Sequence, residues 1–212
     1  MSEHLKFLAV VLAGFAGALL LVAIRLPQAP LSGVTPAQAR AATEIPTPTP
    51  PPAPLTAIAT VTNSDASHKL TMKSTRYRDR SDYAFYVARG DVSGAKLIFT
   101  QTLAGGDSMS LPRNSWSPDN QEVYLLRQSG SLTQYLVFQA GGENYNQGDK
   151  YLEITSLFAK ANNRLRVRDV TGWDGYGLLH VETVKSDGSR GPNFWFVTGT
   201  QQFLQLAKAP NE

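Results

Sequence analysis

The sequence predicts an all-β fold of antiparallel sheets, preceded by one N-terminal transmembrane helix and a proline-rich linker. Three observations carry this prediction. An uncharged apolar run of 18 residues lies between Lys6 and Arg25, and six prolines fall in the nine residues 46–54. Downstream, short runs rich in Tyr, Val, Phe, Leu and Thr alternate with clusters of Gly, Asp, Asn and Ser, the texture of strands joined by tight turns. The chain of 212 residues thereby divides into a short tip (1–6), the apolar helix (7–25), the linker (26–55), a β-rich unit (56–208) and a tail (209–212).

As a helix, the run FLAVVLAGFAGALLLVAI would extend roughly 27 Å, close to the hydrocarbon thickness of a bilayer. A cleaved secretory signal is the competing reading. Such signals place a small-residue cleavage site close behind a shorter apolar core, whereas Ala37-Gln38-Ala39 and Ala39-Arg40-Ala41 lie more than ten residues past the run. An uncleaved anchor is therefore expected. Lys6 and the α-amino group stand against Arg25 and Arg40, so flanking charge hardly discriminates orientation. With only six residues ahead of the helix, signal-anchor insertion is expected to export the C-terminal part to the periplasm or cell surface. Gly14 and Gly17, with Ala13 and Ala18, would let a second helix approach, which allows a homo-oligomer.

The linker is a spacer by chemistry. A sequence such as PTPTPPPAP lacks the backbone donors that a helix or sheet needs, and it favours extended polyproline II at about 3.1 Å per residue. The chain has no cysteine, which excludes disulfides, thiolate metal sites and cysteine nucleophiles. From Asp65 onward 17 Lys or Arg face 15 Asp or Glu, so the exported part lacks the concentrated basic stripe of a nucleic-acid binder.

Within the β-rich unit three hairpins are predicted, 82–89 with 95–103, 122–128 with 133–140 and 177–185 with 193–198, and a fourth pair, 56–62 with 68–74, precedes them. Their turns, GDVSG, SGSL and SDGSRG, offer the residues that sharp or left-handed backbone demands. Only 151–162 reads as a short helix. Ahead of each hairpin stands an Arg followed by Asp or Asn, then a second Asp: Arg78-Asp79 with Asp82, Arg113-Asn114 with Asp119, and Arg168-Asp169 with Asp174, spaced by 35 and 55 residues. Each unit is expected to run hairpin, glycine-containing loop and short third strand (108–111, 151–157 and 201–206). Repeats of that length holding three or four strands suggest propeller blades.

The segment SWSPDNQEVYLL (115–126) resembles the WSPDG-then-strand motif of WD40-like repeats in TolB-type and prolyl-oligopeptidase-type β-propellers. The resemblance implies that Trp116 packs between blades and that Ser117, Pro118 and Asp119 form the turn into a hairpin. Asn120 replaces the usual glycine, and Asn also accepts positive φ. A second copy, Trp173-Asp174-Gly175, keeps the aromatic and Asp-Gly but lacks Ser-Pro, and the copy at 77–85 keeps only an aromatic and the strand. The resemblance spans about 69–206. Three blades fall short of the usual four or more. The expectation is thus a small or partial propeller, an open antiparallel assembly, or closure by oligomerisation.

Candidate chemistry is sparse. Of the histidines, His4 lies in the tip, His68 beside the linker and His180 inside a predicted strand; no G-x-S-x-G, H-E-x-x-H or phosphate-loop pattern occurs. No catalytic residue, cofactor or metal site is expected. Arg164, Arg166 and Arg168 alternate with period two, as do Arg76, Arg78 and Arg80, so each row would share a strand face and could grip an anionic ligand; solubilising charge on an edge strand is the plainer reading. Trp116, Trp173, Trp195, Tyr176 and Phe194 could stack on carbohydrate or simply pack in the core. The functional expectation is a non-enzymatic, membrane-anchored extracytoplasmic binding module with a protein or cell-envelope polymer as partner. The alternatives are an accessory or sensor subunit of a membrane complex, and an enzyme whose site carries no familiar motif.

Overall fold

The computed structural model describes residues 52–90, 94–145 and 148–207. The predicted helix 7–25 and most of the linker lie outside the described residues. Among the described residues no helix is long and apolar enough to cross a membrane.

The regular structure begins where the prolines end. Pro54 has no N–H to donate, and the first strand starts at the next residue. Four strands, β1 (Leu55–Thr62), β2 (His68–Arg76), β3 (Arg80–Arg89) and β4 (Lys96–Ala104), form the first sheet in chain order. The second sheet contains β5 (Ser108–Ser110), β6 (Glu122–Ser129), β7 (Leu132–Gln139) and β8 (Leu152–Glu153). The third contains β9 (Leu165–Gly175), β10 (Leu178–Lys185), β11 (Phe194–Val197) and β12 (Gln202–Gln205). All pairings are antiparallel between chain neighbours, so the fold is all-β with three blade-like four-stranded meanders.

The four predicted hairpins coincide with β1–β2, β3–β4, β6–β7 and β10–β11, but the unit boundaries differ from the expected ones. The segment 108–111 was expected to close the first unit; instead β5 pairs with β6 and opens the second sheet. The segment 151–162 divides into β8 and a helix, α1 (Ile154–Ala161). Glu153 caps α1, its carboxylate accepting from the backbone N–H groups of Thr155 and Ser156, both at 3.0 Å. Ile154 and Phe158, four apart, bury one face of that helix.

The pleat of the second sheet sorts its side chains into two cores. Val123, Leu125, Leu136 and Phe138 point one way and join Leu70, Phe85 and Ile98 of the first sheet. Tyr124, Tyr135 and Val137 point the other way and join Leu179, Val181, Phe194 and Phe196 of the third. The second sheet is thus the middle layer, and its central strands read as continuous apolar runs because both faces are buried. α1 roofs the second core, with the Phe158 ring edge-on to Phe194 at 5.2 Å and to Phe203 at 4.9 Å.

Candidate functional site

Residues 115–126 join the three sheets. Asn120 N–H donates to Ser117 O (3.0 Å), closing a turn that holds Pro118 and Asp119 at its centre. Ser117 Oγ donates to Asp119 Oδ1 (2.6 Å) and accepts from Glu122 N–H (2.9 Å). Asn120 leaves the turn at φ +61°, the left-handed region that glycine occupies in the resembling motif. Its Oδ1 accepts from Nδ2 of the buried Asn63, in the β1–β2 loop, at 2.8 Å. The Trp116 indole N–H donates to Val61 O (3.2 Å), tying the second sheet to the first. Toward the third sheet, the Trp173 indole N–H donates to Ser115 O (3.0 Å) and the Tyr124 hydroxyl to Asn114 Oδ1 (2.7 Å). Asn114 Nδ2 in turn donates to Thr171 O, an approach open because residue 172 is glycine: a Cβ there would stand 2.3 Å from that nitrogen.

Two clefts open at the end of the sheets where this turn sits. The first, of about 480 Å³ between the first and second sheets, is lined by His68, Arg89, Lys96, Gln121, Gln139 and Glu143 among others. The second, of about 500 Å³ between the second and third sheets, includes Gln121, Glu122, Gln139, Tyr145, Tyr176 and Gln201. They share Gln121 and Gln139, so they adjoin. The chain enters β1 at the opposite end, since the β1–β2 loop lies at the cleft end.

Glu122 is the buried ionisable group of the second cleft, 6% exposed. Its Oε1 accepts from the Tyr145 hydroxyl (2.9 Å) and Gln139 Nε2 (3.3 Å), and its Oε2 from the Thr198 hydroxyl (2.8 Å). All three donors are neutral. Burial raises its pKa above the ordinary 4.5, the hydrogen bonds from Thr198 and Tyr145 opposing and nearby Asp119 adding to the rise. Burial likewise pushes the Tyr145 phenol up, reinforced by the Glu122 charge.

His68, which lines the first cleft, lies through Nδ1 2.7 Å from Ser67 Oγ. Arg89 Nε–H donates to His68 Nε2 at 3.2 Å, and Asn63 Nδ2 lies 3.4 Å from Nδ1, so both ring nitrogens have a donor beside them. Among the described residues no group of three or more His, Asp or Glu could hold a metal ion.

The arginine rows lie at the other end of the sheets. Arg76 ends β2, Arg78 sits in the turn and Arg80 begins β3, so they ring a hairpin turn rather than share one strand face. Arg80 lies over the Tyr77 ring at 4.3 Å and 3.7 Å from Asp82. Arg164 precedes β9, while Arg166 and Arg168 are exposed on it, and Arg168 pairs with Glu182. The rows belong to the first and third sheets, with the second between them, and do not form one surface. The tryptophans do not gather either: Trp116 is buried, Trp173 packs against the second core, and Trp195 lies on the outer face of the third sheet, donating to Asp174 Oδ2 (2.7 Å). Trp173 and Asp174 stand within β9 rather than in a turn ahead of a hairpin. Gln139, Tyr145 and Gln201 carried no motif, and Glu122 lies in the 115–126 segment just past its WSPDN turn. The available signal was that Glu122 shares a strand face with Tyr124, a charge on a face otherwise apolar. No protein-family model, curated protein or solved structure matches the chain.

Proposed function

We propose that the chain is a non-enzymatic binding module, anchored in a membrane and displayed outside the cytoplasm, whose three sheets stand as WD40-like, TolB-type blades of a partial propeller. Its partner is a protein or a cell-envelope polymer, received at the end that carries the 115–126 turn. One observation supports this above the rest: two adjoining clefts of about 480 and 500 Å³ meet across Gln121 and Gln139, each within the roughly 300–1,000 Å³ of ligand sites. Their walls are fixed by hydrogen bonds between sheets, which reduces the ordering cost of binding. Both clefts lie at the opposite end of the sheets from Leu55, where β1 begins.

Co-sedimentation of the full-length chain with isolated cell-envelope polymers tests this. Wild type is expected to pellet with the polymer, and the double variant Gln121→Ala, Gln139→Ala to do so about tenfold less. An undiminished double variant, with loss instead on substituting Arg76, Arg78 and Arg80, would move the site to the opposite end and overturn the assignment.

A further inference from the structure

The two clefts differ in chemistry. The first carries Arg89 and Lys96, the latter 3.3 Å from Glu143. The second carries Asp119 and Glu122 and, among its described lining residues, no Lys or Arg. Building on the binding-module reading, we infer that the second cleft receives an uncharged sugar unit of a glycan chain.

The electrostatics exclude anions first. A phosphate, sulfate or uronate would sit beside a buried carboxylate with no cation to offset the repulsion. Hydrogen-bonding valence then separates the remaining ligands. The wall offers amides at Gln121, Gln139, Asn144 and Gln201, and hydroxyls at Tyr145 and Tyr176. The amides and the Tyr176 hydroxyl both donate and accept, whereas the carboxylates, and Tyr145 with its proton held by Glu122, only accept. A sugar hydroxyl also does both, and so matches the whole wall. A lysine ammonium has three donors and no acceptor, leaving the amide N–H groups unanswered, and a hydrocarbon ligand would strand them all.

The cleft also has an apolar contact and a fixed shape. Tyr176, at the β9–β10 turn, is 74% exposed and belongs to neither core, so its ring is free to meet the C–H face of a sugar. Glu122 is held by Thr198, Tyr145 and Gln139, and Gln201 keeps a long amide side chain at φ +56°, where glycine would meet less resistance.

Isothermal titration calorimetry on the full-length chain tests the inference, with neutral cello-, malto-, xylo- and chito-oligosaccharides, an oligogalacturonate and an oligolysine as probes. Saturable binding of a neutral oligosaccharide is expected. Tyr176→Ala and Gln201→Gly should each weaken it about tenfold, the size of one lost stacking contact or hydrogen bond. Lys73→Ala and Arg164→Ala, exposed and outside both clefts, should leave it unchanged. Gln201→Gly suits the left-handed backbone, so its effect is not one of misfolding. Binding of oligogalacturonate or oligolysine in place of neutral sugar overturns the inference, as does sugar binding indifferent to Tyr176 and Gln201. Silence from every probe overturns it too, while polymer co-sedimentation separately decides the binding-module reading.

Discussion

Replacing Glu122 separates the cost of a buried charge from the value of the hydrogen bonds around it. The carboxylate is 6% exposed and bonded only by the neutral donors Thr198, Tyr145 and Gln139. Glu122→Gln preserves the arrangement: the amide oxygen accepts from Tyr145 and Gln139, and the amide N–H donates to Thr198 Oγ1, whose own proton can turn toward Gly177 O. Glu122→Ala strands the Tyr145 and Gln139 donors at about 1 kcal/mol each, Thr198 turning to Gly177 O, so a loss of about 2 kcal/mol is expected. The sign with pH follows from the raised pKa. Between the ordinary 4.5 and the folded-state value the folded chain binds more protons than the unfolded one, so stability is full below 4.5 and falls as pH rises through that window. Glu122→Gln lacks this titration. Its stability should match wild type near pH 4 and exceed it near pH 8, by about 1.4 kcal/mol for each unit by which the carboxyl is raised. Urea denaturation of wild type and both variants at the two pH values provides the measurement. A Gln variant less stable than wild type by the same amount at both would refute the reasoning, because the carboxylate would then carry no burial penalty.

Two further predictions concern the framework. Asn120→Gly removes the bond from Asn63, costing about 1 kcal/mol, whereas Asn120→Ala also places a Cβ at φ +61° without local hydrogen bonding and should cost about 1–2 kcal/mol more in chemical denaturation; equal losses would contradict the left-handed assignment. Leu125→Ala in the first core and Leu179→Ala in the second should each cost about 2–5 kcal/mol and lower one shared unfolding midpoint, because the middle sheet belongs to both cores; two separated transitions by calorimetry would show that the cores unfold independently.

The strands were legible in the sequence because each hairpin carries β-forming residues and its own turn residues, as at Gly130 between β6 and β7, with period-two alternation in β3 and β10. Their grouping into sheets was less so. The three residues 108–110 are too few for pattern to assign them to a neighbour, and only packing against 126–128 does. β9 was obscured because Trp173-Asp174-Gly175 reads as a turn, yet three register shifts along β9–β10 let the strand carry those residues to its end. The candidate site was hidden for a different reason. Its polar lining comes from 119–122, 139–145, 176–177 and 198–201, segments brought together only by the stacking of sheets. The WSPDN turn contributes Asp119 and Asn120 to the clefts, but the residues that face them across the sheets carry no motif.

The outermost faces of the first and third sheets pair many of their polar groups within the sheet. On the first sheet, Thr56, Thr75, Asp82 and Thr102 form one register row across all four strands, with Ile58, Lys73, Ala84 and Thr100 in the next. Thr102 donates to Asp82 (2.8 Å), so the row satisfies its polar groups within the sheet, and its threonines suit both strand backbone and solvent. On the third sheet, His180, Trp195 and Leu204 share a row, and here too the polar atoms find partners nearby: His180 with Thr171 (2.6 Å), Trp195 with Asp174, Glu182 with Arg168. Leucine, valine and phenylalanine concentrate instead on the inward faces. Ile58 and Leu204 stand exposed in these rows, so a further sheet or a second copy stacked there would gain their apolar area while dehydrating polar groups already paired, and the balance turns on whether the newcomer pairs them again.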